Sequence, residues 1–323
     1  MVDQYIPIDV TQALTAKKKI SQSEFRAGGT DVVDRIRREI APPPHLISLG
    51  RIKSLFGFGE NAGELLVGAK ETLEALAKHP LIRRYASVVS DAVAHCATPQ
   101  IRSQATVGGA LAQRVRCPYF RQPDFFCLKK GGPLCLARAG EHTEHGIFDN
   151  ALCMSLQPST LALALVAINA EVEIVSLAKP ARWVSIVDVM KTEIGLPQQD
   201  NGIAKDELIQ RIKIPLHQKL SIQHYERLSA RQLADWPLVE VAVVAEKRDA
   251  QIQKVHIVMG AVGRNIRRAK ASEAILLGKL PTKALLLKAA QQSTHDATPG
   301  AGNAEKRFLV ERCVAAALEG AFL

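Results

Sequence analysis

The sequence predicts an α+β chain. Three observations carry that expectation: the first half repeats a strand, glycine, helix order; a polar, turn-rich break, GLPQQDNGIAKDE, occupies 195–207; and beyond it come consecutive strands followed by consecutive helices, so the two element types are segregated. The expected units are an N-terminal segment 1–52, a middle segment 53–207 with a cysteine-rich insertion at 114–154, and a smaller C-terminal domain 208–323 built as an antiparallel sheet with helices.

Each element follows from local pattern. Segment 24–40, EFRAGGTDVVDRIRREI, reads as a short strand, two glycines, then a helix with Val33, Ile36 and Ile40 on one face and Thr30 or Asp31 as its cap. PPPHLISLGRI is a proline break and a strand; GELLVGAKETLEALAKHPLI is strand, turn, helix; 85–97 is a helix; IRSQATVGGALAQ is a loop with two more glycines. The stretch 117–153 has little periodicity, and PSTLALALVAINAEVEIVS is a capped helix feeding a strand. ELIQRIKIPL, KLSIQHYERLS, PLVEVAVVAEKR and IQKVHIVMGAVG alternate as strands; SEAILLGKL, PTKALLLKAAQQST and EKRFLVERCVAAALEG are helical.

Composition narrows the class. With 323 residues, 47 % of them hydrophobic, the chain can bury a core without disulfide staples. The N-terminus carries no basic-plus-apolar leader, and the best apolar run, LALALVAINAEVEIV, is cut by Asn169, Glu171 and Glu173. The expectation is a chain without membrane insertion, kept in the cytoplasm or exported with a signal-bearing partner. The net charge of +10 is scattered; its clusters (Lys17 to Lys19, Arg35 to Arg38, Arg264 to Lys270) are not interleaved with aromatics, which argues against nucleic acid and leaves an acidic protein partner open. Asp206 and Glu207 read as a solvated turn, and no serine–histidine–aspartate or metalloprotease order is present.

Two glycine pairs can carry chemistry. Ala27, Gly28, Gly29, Thr30 and Asp31 sit between strand and helix, where bare backbone approaches an anion and successive N–H groups can point at phosphate oxygens. Thr106, Val107, Gly108 and Gly109 can meet the same anion from a second side. Neither matches a Rossmann or Walker spacing, and a glycine pair alone is more often just a turn.

Four of the six cysteines, Cys117, Cys127, Cys135 and Cys153, fall inside 37 residues with spacings C-x9-C-x7-C-x17-C. Four gathered thiolates suit a [4Fe–4S] cluster or a structural zinc, although the close pair usual in zinc sites is missing; unrelated thiols are the third reading. Cys96 and Cys313, on helical patterns with apolar neighbours, read as structural thiols. His142 and His145 lie in the same loop and read as polar side chains there, with ligation as the alternative; Arg114, Arg116, Arg121, Lys129 and Lys130 place positive charge around the thiols.

AGGTDVV, LLVGAKETL and TPQIRSQATVGGALAQ, in that order, together with SARQLADWPLVEVAVV, VHIVMGAVG and ATPGAGNAEKRFL, resemble the flavin (medium) subunit of the molybdenum hydroxylases, the xanthine dehydrogenase and carbon monoxide dehydrogenase family, over nearly the whole chain. The resemblance implies a two-subdomain FAD-binding domain of the molybdopterin-dehydrogenase type and a smaller C-terminal α+β domain. It implies FAD with its diphosphate between the two glycine loops, Gly68 and Ala69 shaping the nucleotide pocket, and Arg227, Arg231 or Asp235 approaching the isoalloxazine. Tyr225 is expected to pack on the flavin or in the core, and Lys306 matches a lysine at the start of the family's last helix. Where the family usually has Asn after the second pair, this chain has Ala110, so one side-chain amide is lost.

CPYFR, CLKKGGPLC, ARAGEHTEHGIF and Cys153 resemble the insertion of the aldehyde oxidoreductase type, which implies a [4Fe–4S] cluster on the four cysteines. The implied partners are a large molybdopterin subunit and a small two-[2Fe–2S] subunit. Electrons would pass from the [2Fe–2S] clusters to FAD and on to NAD, oxygen, a quinone or a redox protein. The alternatives are reversed flow, as in 4-hydroxybenzoyl-CoA reductase, and a flavin-free assembly subunit.

Overall fold

Three β-sheets organise the chain in the computed structural model, which describes residues 2–193, 195–216, 222–231 and 235–323. The first sheet holds β1 (Asp3–Tyr5), β2 (Ser23–Arg26) and β3 (His45–Ser48) in the order β1-β3-β2, all parallel. The helix Val10–Lys19 connects β1 to β2; its N-cap Asp9 accepts from Gln12 N, and three lysines fill its last turn, where cations suit the helix dipole. Neither β1 nor that helix stands out in the sequence pattern.

The second sheet is antiparallel: β4 (Phe58–Asn61), β5 (Glu64–Gly68), β6 (Glu171–Val175), β7 (Arg182–Ser185) and β8 (Leu208–Pro215), ordered β4-β5-β8-β6-β7. β8 lies beyond the break expected at 207, yet it pairs with β5 from Glu64↔Pro215 to Gly68↔Arg211, so the middle sheet draws its central strand from past that position.

The third sheet, β12-β11-β10-β9, is antiparallel and comprises β9 (Ile222–Ser229), β10 (Pro237–Arg248), β11 (Gln251–Gly260) and β12 (Arg267–Arg268). β10 shows why VEVAVVA is apolar at every position but one. Val239, Val241, Val243 and Ala245 face the helices Lys270–Leu276, Lys283–Gln292 and Lys306–Phe322, while Ala242 and Val244 face the central core, so both sides of the strand are buried. The exception, Glu240, is fully buried and accepts a 3.0 Å hydrogen bond from Tyr225 Oη; burial raises its carboxyl above the usual range, and Tyr225 is thereby core. The helix Thr160–Ala167, capped by Ser159, is buried on every residue between these layers, which accounts for its apolar run. Among the described residues no helix is long and apolar enough to cross a membrane.

Two local expectations differ from the structure. The second glycine pair is not a loop: Thr106 caps the helix Val107–Ala112 with a 3.2 Å bond from Gly109 N, so Gly108 and Gly109 stand in its first turn. Glu207 is not solvated; it is 7 % exposed and paired with Arg182 at 2.6 Å.

Candidate functional site

Both glycine pairs line one cleft, of about 870 Å³ including its mouth, walled by Ala27, Gly28, Gly29, Thr30 and Asp31 on one side and Thr106, Gly108 and Gly109 on the other. Ala69 and Lys70 close one end, and Leu208 and Ile209 of β8 contribute wall. The N-terminal loop is pressed against the turn before the second pair: a Cβ at Gly28 would overlap the carbonyl oxygen of Gln104. Gly29 sits at φ +82°, left-handed backbone that favours glycine. Gly68 ends β5 behind the lining, donating its N–H to Gly57 O at 2.9 Å, and Val107 is wholly buried behind its own loop.

The two loops differ in what their backbone offers. Val107, Gly108 and Ala110 donate their N–H groups to Glu71 O, Ala69 O and Thr106 O at 2.8 to 2.9 Å, and Gly109 to Thr106 Oγ1. Gly28, Gly29, Thr30 and Asp31 donate to no main-chain or side-chain acceptor among the described residues. The first loop is therefore the one with amides free for an anion. Lys70, 8 % exposed, joins it: its ammonium pairs with no carboxylate among the described residues, and burial, together with Arg26, holds its pKa below the usual lysine value. Sequence reasoning passed over Lys70 because one lysine after a strand carries no pattern; its position next to Gly68-Ala69 was the available signal.

Asp31 closes the cleft toward the cysteine-rich insertion. Burial by itself would raise its pKa, but the guanidinium groups of Arg116, 3.1 Å away, and Arg121, 2.7 Å away, with Arg35, outweigh it and lower the value. Beyond the Asp31–Arg116 pair a second cavity opens, lined by Arg116, Cys117, Tyr119, His145, Asp235 and Trp236 among others. Arg116 lies over the Trp236 ring, 4.6 Å from its centroid. Asp235 thus borders this second cavity rather than the glycine cleft. Arg231 is exposed and lines neither, and Arg227 is held by the carbonyls of His95 and Asp235.

All four cysteines of the insertion line a third, smaller cavity with Phe120, Lys129 and Ser155. Cys127, Cys135 and Cys153 are buried, and Cys117 partly so. They surround a space rather than converge on a point: among the described residues no three His, Cys, Asp or Glu side chains could hold a single metal ion. The hydrogen bond shared with Cys135 lowers the pKa of the Cys153 thiol against the burial that raises it, with Ser155 and the charge of Lys129 acting in the same downward direction. Burial pushes Cys117 up to about 11. Lys129 is itself fixed to Asp200 at 2.8 Å, and Arg114 pairs with the same carboxylate.

His145 is not a plain loop side chain. It is 6 % exposed, and its Nε2 stands 3.3 Å from Cys117 Sγ. His142 accepts from Gly302 N at 3.0 Å. The GAGNAEK segment anchors this part of the insertion: Asn303 donates to His145 O at 3.2 Å, and Lys306 to Glu144 O at 2.7 Å.

The glycine cleft lies in a region of mixed helix and sheet, and an α+β domain follows it. Family models agree in two blocks: residues 1–217 match the FAD binding domain in molybdopterin dehydrogenase, and 224–317 the CO dehydrogenase flavoprotein C-terminal domain. The chain belongs to the FAD-binding medium-subunit family of the molybdenum hydroxylases and carbon monoxide dehydrogenases, and is an oxidoreductase subunit. It is 28 % identical over 315 residues to the aldehyde oxidoreductase FAD-binding subunit PaoB of Escherichia coli (strain K12), covering 95 % of this chain and 94 % of that one. Its fold is that of a chain of carbon monoxide dehydrogenase from Hydrogenophaga pseudoflava (TM-score 0.79, 22 % identity, 99 % and 96 % coverage). It is also that of a chain of quinoline 2-oxidoreductase from Pseudomonas putida 86 (TM-score 0.76, 19 % identity, 100 % and 99 % coverage).

Proposed function

We propose that this chain is the FAD- and [4Fe–4S]-carrying electron-transfer subunit of a molybdenum hydroxylase of the aldehyde oxidoreductase type. Its partners in this reading are a large molybdopterin-binding subunit and a small [2Fe–2S] subunit. The observation that carries the proposal is continuity: the glycine cleft abuts the second cavity across Asp31–Arg116, and Cys117 and Tyr119 line both the second cavity and the cysteine cavity. Two redox groups would then be neighbours within one chain.

The residues fit both groups. For FAD, the free N–H groups of Gly28 to Asp31 and the ammonium of Lys70 would hold the diphosphate, and Gly108 and Gly109 would let the second wall come close. The second cavity, with Tyr119, Trp236 and Asp235 on its walls, would take the ring end. For the cluster, Cys117, Cys127, Cys135 and Cys153 would be the ligands, and a donor set spread around a cavity suits a group larger than one ion. When bound, FAD supplies conversion between two-electron and one-electron transfer and the cluster one-electron transfer; the protein supplies position, charge and exclusion of water. Arg116 and Lys129 place positive charge at the two sites, and Phe120 and Leu136 keep the cysteine cavity apolar. The similarity to the E. coli aldehyde oxidoreductase subunit over nearly the whole chain supports the aldehyde-oxidising class.

The test is a visible spectrum, an iron assay and EPR after reduction on the chain purified with its partner subunits. Stoichiometric flavin and about eight iron atoms per complex are expected, four on this chain and four in the two [2Fe–2S] clusters of the small subunit. Replacing Cys127 and Cys135 by Ser should lower the iron to about four, remove the [4Fe–4S] EPR signal and leave the flavin bands. Only about four iron atoms in the unaltered complex, with no [4Fe–4S] signal, would overturn the cluster, and a flavin-free complex with the same low iron would overturn the whole reading.

A further inference from the structure

We infer that Asp31 is the point through which the cysteine-rich insertion positions the first glycine loop, so that FAD affinity depends on Arg116 and Arg121 of the insertion. This inference rests on reading the glycine cleft as the FAD site.

Asp31 occupies the N-cap position of the helix Val32–Arg37, where an aspartate side chain ordinarily accepts from the first-turn N–H groups, yet it makes no such bond. Its carboxylate faces the other way. Oδ1 accepts from Arg121 Nη2 at 2.7 Å and lies 3.1 Å from Arg116; Oδ2 accepts from Arg114 N at 3.3 Å and from Arg35 at 3.4 Å. Three of the four donors belong to the start of the insertion and one to its own helix.

Arg121 is not free to follow Asp31. Its Nε donates to Val115 O at 2.8 Å and its Nη2 to Arg114 O at 3.1 Å, and its side chain is 11 % exposed. It stacks beside Phe120, which is buried with Val115, Cys127 and Ile40, with Cys117, Tyr119 and Leu136 packed against them. The same small core thus holds the arginine and two of the four cysteines. When the insertion is ordered, Arg116 and Arg121 are fixed where Asp31 needs them. When it is not, a largely buried carboxylate loses its main partners, and the uncompensated charge is costly.

The loop leading to Asp31 has little independence. Gly28 is pressed on Gln104, Gly29 is left-handed, and Asp31 is clamped; between these fixed points lie the unpaired N–H groups that would meet the diphosphate. A clamp of this kind raises affinity by preorganisation, and it must act in both directions: bound FAD stabilises the insertion to the same extent.

The test measures FAD dissociation constants by flavin fluorescence on the deflavinated complex, with iron content recorded for each variant. Arg121→Met is expected to weaken binding about tenfold, because it removes the shortest of the contacts that hold the Asp31 carboxylate. Asp31→Asn is expected to weaken it to a similar extent, and the double variant no further than the worse single one, the signature of a shared interaction. Arg138→Met is the control, since among the described residues exposed Arg138 donates only to the carbonyls of Asn150 and Ala151 within the insertion; its affinity should match the unaltered protein. If Arg121→Met does not fold, Arg121→Lys and Arg116→Lys, which keep the charge and lose the planar fork, should give several-fold losses in its place. Unaltered protein that takes no FAD overturns the site reading itself. Tight FAD binding that survives the Arg121 and Asp31 variants, or losses that simply add, overturns the clamp alone.

Discussion

Among the described residues, Gly28 to Asp31 of the first glycine loop leave their N–H groups without acceptors, whereas Val107, Gly108 and Gly109 of the second have theirs taken by Glu71, Ala69 and Thr106. The two pairs face each other across one cleft, yet only one offers main-chain donors. The other offers closeness: Gly108 stands where a Cβ would come 3.0 Å from the Ala69 Cβ. A glycine pair can thus serve recognition in two ways, by exposing amides or by removing bulk, and the neighbouring carbonyls decide which.

That contrast can be broken by substitution. The largest effect belongs to Gly28→Ala, whose new methyl overlaps a backbone carbonyl that cannot step aside. A loss of about 3 kcal/mol of stability and of most bound flavin is expected, read by thermal unfolding and by the flavin-to-protein absorbance ratio. Next is Lys70→Met. Removing a charge-assisted partner of the diphosphate should weaken FAD binding about tenfold. The melting temperature of the flavin-free protein should hold or rise, because a buried ammonium with no carboxylate partner is relieved. Equal affinity in this variant would place the diphosphate elsewhere. Smallest is Thr106→Val, which removes the cap on Gly109 N from a loop whose amides are already occupied. About 1 kcal/mol of stability should be lost while flavin stays bound; flavin loss here comparable to that of Gly28→Ala would erase the proposed division between the loops.

The strand, glycine, helix order around 24–40 was legible because period and turn residues agree over a few positions, and β10 was legible as a strand, though its two buried faces were not, since partial alternation around Glu240 points to one. The glycine loops and the four cysteines were visible as residue types. That each set shares one cavity was not, because it depends on contacts between residues far apart in sequence, such as Gly28 with Gln104. Asp31 shows the limit best: local rules assign it to its own helix as a cap, and the arginines 85 to 90 positions later take it instead. His145 and Lys70 carried no local pattern at all, since a histidine among polar neighbours and a lysine after a strand read as surface. Arg231 and Asp235 were placed near the ring by family resemblance; Asp235 borders the second cavity, and Arg231 stands in the open.

The central place of β8 has a consequence for the order of events in the cell. Its residues 208–215 bridge β5 and β6, and Leu208 and Ile209 are part of the wall of the glycine cleft. A ribosome that has released only the first 200 residues has produced both glycine pairs and all four clustered cysteines, but not the strand that joins the two halves of the sheet. Pairing across such a sequence separation is slow. The nascent chain therefore holds both glycine pairs before it can complete the wall around a nucleotide, so closure of the glycine cleft waits on a strand made after everything else that lines it.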